Sequence, residues 1–156
     1  MGLPAVCRRS VALLGALVLL GAAAPPGPAL SIRALLFNNR TGGFSPDVVI
    51  DQSRLGNVPA GEYASTSALV VVRVAFAKDR DYPSARVRLR ATAGEGRPRV
   101  LLDRTQAVGA IGADNVTHIG FWLSGTGCEP LTLTATLTTP GPGATATASV
   151  PFTCHE

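Results

Sequence analysis

Residues 67–77, SALVVVRVAFA, form the strongest apolar run after residue 30. Valines fill its centre, and β-branched side chains favour strands because they pack well on a pleated surface. A short apolar run between polar segments predicts a central β-strand. From this run we expect Leu69, Val71, Val74 and Phe76 to lie in the core.

Seven further segments have the alternation or the β-branched content of strands, and none after residue 30 has a sustained helical period. They are residues 32–37, 47–50, 84–91, 97–104, 115–124, 131–139 and 144–154. The segment 47–50 is the weakest, so we expect seven or eight strands. Short strands separated by Gly, Pro, Asn and Asp predict an all-β fold, an immunoglobulin-like antiparallel β-sandwich that residues 30–156 form as a single domain.

The last two segments form the clearest predicted hairpin, around the turn PGPG at residues 140–143. Residues two apart on a strand share a face. The alternation therefore places threonines outside and apolar side chains inside. Across this hairpin and the strands before it, the expected core also contains Val87, Leu89, Phe121, Leu123, Leu131, Leu133, Leu137, Val150 and Phe152.

Residues 1–29 have the features of a cleaved signal peptide and short linker. Two arginines precede an uncharged run at 11–24, and a proline-rich stretch of small residues follows it. The run is shorter than the roughly 20 apolar residues that a bilayer span needs, which favours cleavage after Ala23 or Ala29 over a retained signal anchor. We expect a mature chain that is secreted, periplasmic or at the cell surface, with no transmembrane anchor.

The charge of the chain is modest once this segment is removed. The precursor has 14 basic and 10 acidic residues, a net charge of +4. Arg8 and Arg9 are lost with the signal peptide and no acidic residue is, which leaves a net charge of +2. Such a balance is ordinary for a protein surface, whereas a domain that binds along the phosphate backbone of a nucleic acid carries more positive charge. The sequence therefore predicts no nucleic-acid partner.

The mature chain would keep two of the three cysteines, Cys128 and Cys154, because Cys7 precedes the cleavage site. An even pair in an exported protein predicts one disulfide bond. A zinc site is the alternative, but His118 and His155 are the only histidines and no CxxC spacing is present. We predict no metal site.

No motif of a catalytic site or a cofactor site occurs in the sequence. The patterns G-x-S-x-G, H-E-x-x-H, the P-loop and the dinucleotide-binding glycine motif are all absent. We therefore predict no catalytic residues, no cofactor and no enzymatic activity. One alternative is a small secreted hydrolase with a dispersed site, which a cleft uniting His118, Asp114 and a hydroxyl would favour. Another is a structural component of a surface or matrix.

Arg86, Arg88 and Arg90 are the most concentrated charges. On a strand they share one face and lie about 7 Å apart. We predict that this arginine ladder is a binding contact for an acidic glycan, a phosphate group or an anionic envelope surface. The alternative is a solvated strand face paired with nearby acidic residues, namely Asp79, Asp81, Glu95 and Asp103.

Phe121 and Trp122 are adjacent on a predicted strand, so one ring should enter the core and the other should reach the surface. An exposed Trp122 would offer a platform for carbohydrate stacking. Together these features predict a small secreted or cell-envelope-associated binding module, non-catalytic, that contacts a protein or glycan of the cell surface or envelope.

Overall fold

The structure, a computed structural model, describes residues 27–51, 67–77, 82–126, 129–139 and 143–152. These ranges contain eight strands and no helix: β1 Ala29–Phe37, β2 Phe44–Asp47, β3 Ser67–Ala75, β4 Arg86–Ala93, β5 Arg99–Ala107, β6 Val116–Ser124, β7 Leu131–Thr138 and β8 Ala144–Val150. They form two antiparallel sheets, β2-β1-β3-β6 (sheet I) and β5-β4-β7-β8 (sheet II). The predicted all-β class is confirmed, and the arrangement is consistent with a β-sandwich.

One hydrophobic cluster draws side chains from both sheets. Most of the expected core residues are buried in it, and they are Val74, Phe76, Val87, Leu89, Phe121, Leu123, Leu131, Leu133, Leu137, Val150 and Phe152. The β7–β8 ladder runs from Leu131 opposite Val150 to Leu137 opposite Ala144. The predicted alternation of this hairpin is therefore confirmed.

The expectation that Leu69 and Val71 lie in the core is wrong. In β3 the inward residues are Ala68, Val70, Val72 and Val74, while Leu69 and Val71 are half-buried on the outer face of sheet I. Arg73 is exposed and shares the parity of Leu69 and Val71. The one charged residue of the run therefore marks this face as the outer one, a signal that the expectation overlooked because the rest of the run is apolar.

The prediction of a strand at residues 47–50 is also wrong. The strand β2 ends at Asp47, and residues 48–50 form a turn. The carbonyl of Asp47 accepts from the N–H of Ile50 at 3.2 Å, and its carboxylate Oδ1 accepts from the N–H of Val49 at 3.1 Å. An Asp that bonds to the backbone two residues later favours a turn over a strand.

Side chains of β2 take over bonds that a backbone ladder would otherwise make to β1. Ser45 Oγ accepts from the N–H of Leu36 at 2.9 Å, and Asp47 Oδ1 accepts from the N–H of Ala34 at 3.1 Å. Pro46 between them has no N–H to donate. Four residues with one proline therefore form a short edge strand, which side-chain acceptors hold to β1 in addition to the backbone pairing.

A side-chain hydrogen bond joins the sheets on the opposite side of the molecule. Gln106 of β5 donates from Nε2 to the carbonyl of Gly120 in β6 at 3.2 Å.

The described ranges contain no helix long and apolar enough to cross a membrane. Residues 1–26, Cys128 and Cys154 lie outside those ranges, so the signal peptide and the disulfide remain predictions.

Candidate functional site

The outer face of sheet I carries three aromatic rings in mutual contact. The register places Phe37 opposite Phe44, and it places Trp122 opposite Leu69 in β3. The ring centroid of Phe37 lies 5.5 Å from that of Phe44 and 5.5 Å from that of Trp122. The Phe44 and Trp122 centroids are 6.5 Å apart with the rings edge to face. Such tilted arrangements are the favourable ones for aromatic pairs.

Aliphatic side chains continue this surface along the sheet. Leu35 and Val71 flank Leu69 on the same outer face, and all three are half-buried. Phe44 and Trp122 each expose 48% of their surface. Contiguous apolar surface of this kind marks interaction sites more often than scattered apolar residues do. We call this set the aromatic patch: Leu35, Phe37, Phe44, Leu69, Val71 and Trp122.

Gly120 interrupts the row of outward side chains on β6 next to Trp122. It is exposed and lies opposite Val71 in the register. A methyl group built on Gly120 would meet Leu69 Cδ1 at 3.4 Å, an ordinary contact distance. The Leu69 side chain therefore reaches towards the glycine, and Trp122 lies two residues further along β6.

The end of this face beyond the patch is basic. Arg73 lies directly opposite His118, and both are exposed. Arg33, opposite Val71, donates from Nε to Asp47 Oδ2 at 3.3 Å. The Asp47 carboxylate is only 8% exposed, whereas the Arg33 side chain is 55% exposed. On the described strands of sheet I, Asp47 is the only carboxylate, and it is already engaged.

The arginine ladder lies on the outer face of sheet II, where Arg86, Arg88 and Arg90 are all exposed. Arg88 forms a bidentate ion pair with Asp103 of β5. The distances from Nε to Oδ1 and from Nη2 to Oδ2 are both 2.6 Å. The hydrogen bond from Arg88 is the main cause that lowers the pKa of Asp103 below its ordinary value. The same bond raises the pKa of Arg88. Within the described ranges, no carboxylate forms an ion pair with Arg86 or Arg90.

The ladder shares its face with the threonines of the last hairpin. Arg88 lies opposite Thr136, and Arg90 lies opposite Thr134. These threonines lie opposite Thr145 and Thr147 of β8 in turn. The face is thus polar across its strands, in contrast to the aromatic patch on the other sheet.

The depression found among the described residues is not lined by His118 or Asp114, the residues considered for a hydrolase. An open depression of about 350 Å³ is lined by Tyr82, Pro83, Val108, Gly109 and Ile111. His118 instead lies on the outer face of sheet I, and the Asp114 carboxylate accepts from the N–H of Val116 at 3.2 Å. In the described part of the chain, no group of three or more His, Cys, Asp or Glu could hold a metal ion.

The sequence suggested only one member of the aromatic patch, Trp122, as a surface ring. For Leu69 and Val71 the available signal was Arg73, which shares their face of β3 and is charged. The contact between Phe37 and Trp122 also requires the order β1-β3-β6, which no local pattern reveals.

Comparison of the chain with protein-family models and with curated proteins finds no match. The geometry of the two outer faces therefore carries the functional argument.

Proposed function

We propose that this protein is a secreted or cell-envelope-associated binding module, non-catalytic, that contacts a protein or glycan through the aromatic patch. The observation that carries the proposal is the cluster of Phe37, Phe44 and Trp122 on the outer face of sheet I, where Phe44 and Trp122 are exposed. Exposing two large rings at 48% each forgoes the free energy that their burial would provide. A partner that covers them recovers it.

The arginine ladder is the second candidate contact surface. Arg86 and Arg90 are exposed and make no ion pair within the described ranges, and Arg88 is held in place by Asp103. This arrangement supports contact between an anionic partner and Arg86 and Arg90. The charge of Arg88 is already partly neutralised by Asp103.

The proposed export rests on residues 1–29, and the start of β1 favours one of the two cleavage sites. Ala29 is the first residue of β1 and pairs with Ala75 of β3. Cleavage after Ala23 keeps this pair, while cleavage after Ala29 removes it. We therefore favour cleavage after Ala23.

The proposed disulfide is supported by the hairpin register. Leu131 of β7 lies opposite Val150 of β8 at the open end of the hairpin. In the sequence, Cys128 lies three residues before Leu131, and Cys154 lies four residues after Val150. A bond between them would close the end opposite the turn.

The immunoglobulin-like type of the sandwich is supported by the connections. The chain crosses between the sheets after β3, after β5 and after β6, while β4–β5 and β7–β8 are hairpins. Such crossings are typical of Greek-key sandwiches. The buried tryptophan of antibody domains has no counterpart, because Trp122 is exposed and is the only tryptophan.

The single tryptophan provides the experiment. Trp122 lies in the aromatic patch, so its fluorescence reports directly on anything that covers the patch. Envelope material is treated with protease, which destroys protein partners, or with periodate, which destroys glycan partners. Each sample is titrated into the protein and into two variants, Leu69→Asp and Thr132→Asp. We expect saturable emission changes with the protein and with Thr132→Asp, and none with Leu69→Asp. Equal binding by both variants, or release of hydrolysis products, would contradict the proposal.

A further inference from the structure

We propose that the partner of the aromatic patch is an acidic polysaccharide, whose sugar rings stack on Trp122 and Phe37 and whose carboxylates pair with Arg73 and His118. The inference rests on the proposed function and specifies the partner of the same site. It is carried by the charge, the shape and the size of the outer face of sheet I.

The charge of this face calls for an anion. Arg73 and His118 lie directly opposite each other on neighbouring strands. Two basic side chains in that position repel each other whenever both are charged, which costs stability in a sheet. The only carboxylate of the described sheet I strands is Asp47, which is buried and bonded to Arg33. An external carboxylate between Arg73 and His118 relieves the repulsion and forms charge-assisted hydrogen bonds.

The shape of this face suits an extended chain of flat rings. Trp122 and His118 are four residues apart on β6, a distance of about 14 Å along the strand. The exposed Gly120 between them keeps the sheet open. A ligand that touches both the aromatic and the basic end must therefore lie along β6 for more than the length of one ring. A polysaccharide with apolar C–H faces and charged edges meets both requirements.

The size of the patch disfavours a protein partner. Its residues, Phe44 of β2 included, occupy four strands about 4.8 Å apart and three rows about 7 Å apart, a planar area of about 400 Å². A standard protein interface covers about 800 Å² on each side.

The test compares an acidic and a neutral polymer of one backbone. Polygalacturonate oligomers and their carboxyl-reduced neutral form are titrated at about 0.15 M salt, and Trp122 emission is followed. We expect the acidic oligomer to shift the emission with saturation, and the neutral form to bind at least about tenfold more weakly. Arg73→Gln should weaken acidic binding about tenfold or more, because it removes a charged hydrogen-bond donor.

Arg86→Gln is the matched control, since Arg86 is also an exposed strand arginine but lies on sheet II. It should leave the affinity unchanged. Because both arginines are exposed, neither variant should unfold at a lower denaturant concentration than the parent protein, and Arg73→Gln should gain stability wherever it removes repulsion with His118.

The inference fails if the protein binds the neutral polymer as tightly as the acidic one, or if Arg73→Gln and Arg86→Gln lose the same affinity for the acidic oligomer. It also fails if the acidic oligomer binds without changing Trp122 emission, or if the protein binds no glycan at all. If, in the last case, an envelope protein or a second copy shifts the emission and Leu69→Asp prevents it, the proposed function survives with a different partner. If nothing shifts the emission, the proposed function fails as well.

Discussion

Arg88 and Asp103 are joined diagonally across the β4–β5 ladder. The residue directly opposite Arg88 is Thr105, and the residue directly opposite Asp103 is Arg90. Arg88 nevertheless makes both hydrogen bonds to the carboxylate, at 2.6 Å each, while Arg90 contributes only through its charge. One carboxylate therefore lies between two arginines and orients one of them.

This pair predicts a pH dependence of stability. The pKa of Asp103 is lowered in the folded protein, chiefly by the hydrogen bond from Arg88. A lowered folded pKa contributes stability above the ordinary Asp value of about 3.9, and the contribution is lost as the pH falls through the folded value. Asp103→Asn should be less stable than the parent at pH 7, and the difference should shrink at a pH well below the ordinary Asp value of about 3.9. Urea unfolding at both pH values measures it, and a gap that does not shrink would contradict the assignment.

The arginine ladder should retain the protein on an anionic matrix at low salt. Replacing Arg86, Arg88 and Arg90 by Ser should abolish that retention and leave the fold intact, because all three side chains are exposed. Retention by the parent should fall as salt is raised, since exposed charges are screened over about 8 Å at physiological ionic strength. Unchanged retention of the triple variant would identify the ladder as a solvated face, with Asp103 as its partner.

The two neighbours Phe121 and Trp122 should respond differently to truncation. Phe121 is 1% exposed in the core, and Phe121→Ala should cost about 3–5 kcal/mol in the free energy of unfolding. Trp122→Ala should cost clearly less, because half of the ring is already in water. Denaturant unfolding of both variants provides the comparison. Equal losses would mean that Trp122 is a structural residue and would weaken its role as a ligand platform.

Asp47 should be a major determinant of β2. Asp47→Ala leaves the buried N–H groups of Ala34 and Val49 without their acceptor, and we expect a loss of about 1–3 kcal/mol. Asp47→Asn is the control, because its side-chain oxygen still accepts both bonds. A loss in the Asn variant as large as in the Ala variant would assign the effect to the ion pair with Arg33 rather than to the backbone bonds.

Export and the disulfide are tested on the secreted protein itself. Mass spectrometry should find an N-terminus that begins after Ala23, and an intact Met1 would contradict the signal peptide. Peptide mapping without reduction should recover Cys128 crosslinked to Cys154. Two free thiols would contradict the predicted disulfide.

The sequence was most informative where strands alternate cleanly. In β4 and β7 one face is apolar and the other polar, so the strand positions and their buried faces followed from the period of two. The segment 97–104 located β5 less well, because the strand extends to Ala107 and is bulged opposite Ala91 and Thr92. A bulge inserts a residue and breaks the alternation.

The sequence was least informative where the pattern has no contrast. Leu69 and Val71 were assigned to the core because β3 is apolar apart from its end residue Ser67 and Arg73, although Arg73 lies on the same face as both and is exposed. The segment FSPD of β2 contains a proline and so does not resemble a strand, although Ser45 and Asp47 supply acceptors that hold it. The aromatic patch unites Phe37 and Trp122, which are 85 positions apart. Only the strand order brings them together.

The construction of β2 has a consequence for the behaviour of sheet I at high protein concentration. Open strand edges are where fibrils with cross-β structure recruit further chains. The strand β2 at this edge of the described sheet I has four residues, and Pro46 among them has no N–H to donate to an incoming strand. Templated growth from this side is therefore obstructed. Asp47→Ala should loosen β2 and expose the longer strand β1, which would bring fibril formation forward as well as lower stability.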